Sequence, residues 1–127
     1  MIKQGGGNII NNSSIIGLRG LPGASAYVVL KGAVTQLTRA MAREYIAHGI
    51  RVNAIYPGGI ETPMVTEYIF AKSDNPNAVE EYFVSQHPIG RLGRPEEIAR
   101  AVAFLTDDNV EFMTGSMLSV DGGWTAT

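Results

Sequence analysis

The sequence predicts an α/β fold of about three parallel strands with flanking helices, in a single chain of 127 residues. Three observations predict it. Short apolar runs alternate with longer stretches whose apolar residues recur at helical spacing. The order along the chain is strand, helix, strand, helices, strand, and helices between consecutive strands favour parallel pairing with right-handed crossovers. Glycine and proline clusters punctuate the joints between these stretches.

The elements follow in order. Gly5-Gly6-Gly7 reads as a flexible lead-in, and Asn8 to Ser13 as a short strand with Ile9 and Ile10 as its apolar part. Ile15 to Gly23 holds Gly17, Gly20, Gly23 and Pro22, so it is a loop. A helix is expected from about Ser25 to His48. Its Leu30, Val34, Leu37 and Met41 fall at helical spacing and are read as core, with Ala26, Ala33 and Ala40 beside them. Gly49 suits a helix stop, since it tolerates the left-handed conformation. Arg51 to Tyr56 is the next strand, broken by Pro57-Gly58-Gly59. Thr62 to His87 is less regular. Met64 to Phe70 is apolar, Ser73-Asp74-Asn75-Pro76 is a polar break, and Val79, Tyr82 and Phe83 mark a short helix. Pro95-Glu96-Glu97 opens a clear helix, with proline at its first turn and acids at the positive end of its dipole. Ile98, Val102 and Leu105 give that helix one stripe, which runs out at Asp107-Asp108. Met117 to Val120 is the last strand, closed by Asp121-Gly122-Gly123.

Composition narrows the function classes. Hydrophobic residues make up 45% and charged residues 17%, a normal globular balance. Ten basic against twelve acidic residues give a net charge of −2, without the clustered basic surface that nucleic acid demands. There is no cysteine, which excludes a disulfide framework and a zinc–thiolate site and makes a reducing cytoplasm the expected location. No apolar run reaches the ~18 residues of a membrane span, and the first residues do not read as a signal peptide. His48 and His87 lack ligand-like spacing and are read as surface or loop residues, so no metal is expected.

The residues that carry chemistry are Ser14, Tyr27 and Lys31. Tyr27 and Lys31 stand at i, i+4 on the first long helix and therefore share a face near its start. A nearby ammonium stabilises a phenolate, and a phenol so placed trades a proton with an alcohol or carbonyl oxygen near neutral pH. Ser14 closes the preceding strand. The strand end and the next helix start face the carboxyl edge of a parallel sheet, where ligands bind. A hydroxyl there holds a substrate oxygen beside the phenol. Taken alone, such a pair occurs by chance on many helices, and Ser13 or Ser14 serves equally well to cap a turn.

The surrounding segments add weight. Asn11-Asn12-Ser13-Ser14, Tyr27-Val28-Val29-Leu30-Lys31, Arg51-Val52-Asn53-Ala54 and Pro57-Gly58-Gly59-Ile60-Glu61-Thr62 occur in that order. Arg91-Leu92-Gly93-Arg94-Pro95-Glu96-Glu97-Ile98-Ala99 follows, then Thr114-Gly115 and Val120-Asp121-Gly122-Gly123-Trp124. Together they resemble the short-chain dehydrogenase/reductase family across essentially the whole chain. The resemblance implies the C-terminal half of a Rossmann-like doubly wound parallel sheet. It implies an oxidoreductase that interconverts an alcohol and a ketone or aldehyde by hydride transfer with NAD or NADP. Tyr27 would be the general acid/base. Lys31 would support the phenolate and bond the nicotinamide ribose, and Ser14 would polarise the substrate carbonyl. Pro57 and Gly58 would form the cofactor turn, Ile60 would meet the carboxamide through its backbone, and Thr62 through its hydroxyl. Asn53 would be structural.

The resemblance also sets an expectation of incompleteness. The family begins with a Gly-rich turn after its first strand, which holds the pyrophosphate at a helix N-terminus. Here Gly5-Gly6-Gly7 precedes a strand, and Gly17, Gly20 and Gly23 lie between the serine and the tyrosine. Residues 1–127 are therefore expected to be a partial oxidoreductase domain, a truncated form lacking the N-terminal half and the family's catalytic asparagine. Such a chain would bind the cofactor weakly alone. It would leave an open sheet edge and uncovered apolar surface, favouring a homo-oligomer or association with the other half. The alternative is a non-catalytic half-domain that self-assembles or completes a partner. Val28, Val29 and Leu30 replace the smaller residues usual between the tyrosine and lysine, and Leu30 is expected to alter packing under the cofactor.

Overall fold

The computed structural model describes residues 1–126. Strands β1 (Gly7–Asn12), β2 (Ile50–Pro57) and β3 (Met117–Val120) form one parallel sheet in the order β1-β2-β3. Asn8 lies opposite Arg51, and Ala54 lies opposite Met117. Helix α1 (Ser25–Tyr45) connects β1 to β2, while α2 (Pro76–Ser85) and α3 (Pro95–Thr106) lie between β2 and β3. The architecture is the one the strand–helix order predicts, with boundaries displaced by a residue or a few.

The central strand is buried along nearly its whole length, as a flanked parallel strand must be. Alternate residues serve opposite faces. Ile50 and Val52 pack with Ala42 of α1, and the Tyr56 hydroxyl donates to Thr35 Oγ1 at 2.7 Å. Arg51 and Asn53 turn the other way, toward the end of α3 and the segment after it. Asn53 is fully buried; its Nδ2 donates to the Met113 carbonyl and its Oδ1 accepts from the Ser116 amide.

Three local expectations are corrected. On α1 the buried residues are Thr35, Thr38 and Ala42, whereas Leu30 and Leu37 are 65% and 52% exposed. The helix lies against the strands through a seam of small and polar side chains, in which Asn11 Nδ2 donates to Thr38 Oγ1 at 2.9 Å. Leu30 therefore points away from the sheet, and it does not line the cavity described below. The Gly5-Gly6-Gly7 lead-in is tied by backbone bonds: the Gly5 amide closes the 3-10 turn Ile2–Gln4 on the Ile2 carbonyl at 3.1 Å, and the Gly7 amide bonds to the Gly49 carbonyl at 3.2 Å. Met64–Phe70 forms a π-helix that seats Val65 and Phe70 against Leu92. Such insertions recur at functional sites.

The start of α3 is tied by charge. Glu97 accepts from both terminal nitrogens of Arg91, at 2.8 and 2.7 Å, and from the Arg94 amide at 2.8 Å. The Arg91 bond, then the Arg94 amide, hold the Glu97 carboxyl at about 2, below its ordinary 4.5. A depressed carboxylate stabilises fully above its unfolded value and loses that contribution as pH falls through the folded one. The urea midpoint of wild type should therefore exceed that of Glu97→Gln at neutral pH, with the gap closing between pH 4.5 and 2. A gap that stays constant over that window would refute the assignment.

Candidate active site

The site is built where β1 and β2 end. Ser14 leaves β1 with extended backbone (φ −167°) and caps the following 3-10 turn, Ile15–Gly17, its Oγ accepting from the Ile16 amide at 3.2 Å. It is 7% exposed. Capping and chemistry are compatible here, because the hydroxyl proton is still free to donate. Ser13 Oγ donates to the Lys31 carbonyl at 2.9 Å. A side chain at Gly17 would place its Cβ 2.8 Å from the Lys31 carbonyl carbon and oxygen, so this loop touches α1 backbone to backbone. These contacts fix Lys31 against the end of β1.

Lys31 Nζ donates to the Asn12 carbonyl at 2.9 Å and stands 5.6 Å from the centroid of the Tyr27 ring. Tyr27 is half-buried. The ammonium has three donors, and Asn12 takes one of them. The remaining two suit vicinal hydroxyls, such as those of a ribose.

The opposite wall is the turn after β2. The Gly58 amide bonds to the Val120 carbonyl at 3.1 Å, and Gly59 and Glu61 bond with Gly93 at 2.9 Å each. Thr62 Oγ1 reaches the Ile60 carbonyl at 3.3 Å. Ser14, Tyr27, Lys31, Pro57, Gly58, Ile60 and Thr62 all line a single cavity of about 790 Å³. It opens at the carboxyl ends of β1 and β2, the edge where parallel α/β sheets bind ligands. Its remaining wall is largely apolar, with Met64, Val65, Ile69, Tyr82, Phe83 and Trp124. Lys31 is the one charged side chain among the described lining residues. No cluster of metal-ligating side chains occurs among the described residues, and no described helix is long and apolar enough to cross a membrane.

This combination of fold, ordered motifs and one shared cavity has counterparts. The sequence model of the family described as Enoyl-(Acyl carrier protein) reductase matches residues 1–125. The chain belongs to the short-chain dehydrogenase/reductase family. It is 46% identical over 126 residues to cyclohexanol dehydrogenase of Acinetobacter sp. (strain SE19), covering 99% of this chain and 46% of that protein. It is 42% identical over 123 residues to the 3-oxoacyl-[acyl-carrier-protein] reductase FabG of Thermotoga maritima, covering 97% and 47%. The crystal structure of levodione reductase superposes with a TM-score of 0.94 at 40% identity, covering all of this chain and 50% of that one. ElxO with NADP bound gives a TM-score of 0.87 at 36% identity, with the same coverage. The chain thus spans about half the length of the relatives it matches.

The contact of one residue behind this cavity wall escaped the sequence. His87, read as a surface or loop residue, does lie in the loop after α2 but is 3% exposed rather than at the surface. Its Nε2 accepts from the Gly59 amide at 2.9 Å, and its Nδ1 lies 2.7 Å from the Phe83 carbonyl. Its key partners are backbone groups, which leave no side-chain signature to read.

Proposed function

We propose that these residues form the proton-transfer centre of an NAD(P)-dependent oxidoreductase that interconverts an alcohol with a ketone or aldehyde. The observation that carries it is the convergence of Ser14, Tyr27, Lys31 and the Pro57–Thr62 turn on one cavity. In the reducing direction the Tyr27 hydroxyl gives its proton to the substrate carbonyl oxygen; in the oxidising direction the phenolate takes it from the alcohol. The Ser14 hydroxyl donates to the same oxygen and orients it. Lys31 balances charge on the phenolate and bonds the ribose. The Ile60 backbone and the Thr62 hydroxyl meet the carboxamide, on a turn shaped by Pro57 and Gly58. The nicotinamide, when bound, supplies or accepts the hydride.

The substrate proposed is neutral and apolar. A carboxylate or sulfonate bound against this wall would lose its water without gaining a cationic partner other than Lys31, which the mechanism already engages. The kcat/KM for cyclohexanol should exceed that for a hydroxycyclohexanecarboxylate by at least about 100-fold, the ratio that roughly 2.7 kcal/mol of uncompensated desolvation gives. Equal values would defeat this substrate class.

In the same proposal, the pyrophosphate is held by protein beyond these residues, since the two glycine-bearing loops that follow strands here, Gly17–Gly23 after β1 and Pro57–Gly59 after β2, already form walls of the cavity described above. Val29, Leu30 and Leu37, all more than half exposed on α1, supply apolar surface for assembly with that protein or with a second copy. Titration with NADH and NADPH tests the division: weak binding by the chain alone, and tight binding once it is joined to a Gly-rich βαβ unit. Tight, saturable binding by the chain alone would overturn the division. Absence of turnover in a joined, cofactor-binding form would favour a non-catalytic half-domain.

A further inference from the structure

We infer that His87 is a positioning residue that locks the cofactor turn to the substrate wall. The functional meaning of that lock rests on the reading above; the lock itself rests on geometry. The Gly59 amide can only donate, so Nε2 must accept and carry no proton. The ring proton is therefore on Nδ1, where it donates to the Phe83 carbonyl at 2.7 Å. One neutral imidazole thus joins the second residue after β2 to the last turns of α2. Both joined residues line the cavity, Gly59 on the cofactor side and Phe83 on the substrate side.

The surroundings are shaped to this ring. A Cβ at Gly58 would lie 2.8 Å from His87 Nε2, and one at Gly59 would lie 2.9 Å from Cε1. The two glycines after Pro57 therefore leave the space that the imidazole fills. Trp124 packs edge-on to the imidazole at 4.8 Å and to the Phe83 ring at 6.2 Å. The turn, the wall helix and the C-terminal turn meet at one side chain. Loss of the Nε2 acceptor would leave the Gly59 amide buried without a partner and free the turn to tilt.

The substitutions separate the two nitrogens. Gln places a polar atom near the Nε2 position, whereas Asn places one near Nδ1. In the 127-residue chain, His87→Asn and His87→Leu should speed amide exchange at Gly59 by about tenfold or more relative to Val52, while His87→Gln stays near wild type. In the wild type, ¹⁵N labelling should show a through-hydrogen-bond coupling between the Gly59 nitrogen and His87 Nε2. In a cofactor-binding form, His87→Asn should raise KM for the nicotinamide cofactor about tenfold with little change in kcat, and His87→Gln should restore it. Absence of the coupling would overturn the proposal. So would equal exchange in the Asn and Gln variants, or equal loosening of Gly59 and Val52, which is the signature of a merely structural histidine. If no form binds a nicotinamide cofactor, the functional reading fails, and Gly59 exchange still decides the lock.

Discussion

Tyr27→Phe is expected to lower kcat by about 10²- to 10⁴-fold in any cofactor-binding form of this protein, the range a positioned acid/base contributes. The reason is local. The substitution removes one hydroxyl from a half-buried side chain, and that hydroxyl forms no hydrogen bond with the described residues. The ring stays, together with its contact to the Lys31 ammonium 5.6 Å away. Thermal stability should therefore be unchanged, and cofactor affinity should fall little. Stopped-flow turnover alongside cofactor titration separates these effects, and turnover within twofold of wild type would end the assignment. Ser14→Ala makes a less clean test. Its Oγ also caps the turn at Ile16, so the variant loses a cap worth about 0.5–2 kcal/mol as well as a donor to substrate. A fall in kcat there must be read beside a measured loss of stability.

Much of this arrangement was legible because it is local. The Tyr27–Lys31 spacing places two groups on one helical face whatever else the chain does. Pro95-Glu96-Glu97 announces the start of α3 through proline geometry and dipole charge, and α3 begins at Pro95. The α1 face was misread for a physical reason. Apolar periodicity reports that a helix has faces, not which face meets the sheet. Here the sheet offers Asn11 and Tyr56, whose polar groups need partners, so Thr35 and Thr38 are the buried residues and Leu30 and Leu37 remain outside. His87 was illegible for a related reason. It serves a backbone amide 28 residues away, and no side-chain pattern marks that partner. The π-helix at Met64–Phe70 differs from an α-helix by one residue per hydrogen-bonded turn, a shift that apolar spacing over seven residues does not resolve.

Arg51→Met should be among the most destabilising single changes in the sheet, by about 2–5 kcal/mol. Arg51 is 8% exposed and is the second residue of β2, opposite Asn8 on β1. Its guanidinium donates to three carbonyls: Met113 at 3.0 Å, Leu105 at 3.0 Å and Asp107 at 3.2 Å. Two of these belong to the end of α3, where unpaired carbonyls carry the negative end of the helix dipole and a cation is favoured. Methionine fills comparable volume but satisfies none of them, so buried acceptors lose their donors. Lysine keeps the charge but lacks the planar fork, and Arg51→Lys should recover only part of the loss. The bonds also anchor the segment that feeds β3 into the sheet: the Gly115 amide bonds to the Val52 carbonyl at 2.7 Å, and the Ala54 amide to the Ser116 carbonyl at 2.9 Å. Slackening there weakens the pairing of β2 with β3, and β2 is the strand that delivers the Pro57–Thr62 turn to the cavity. Because Arg51 does not line that cavity, the folded fraction should keep its cofactor affinity while the urea midpoint drops at unchanged slope. A loss below about 1 kcal/mol would mean that water replaces the guanidinium at this seam.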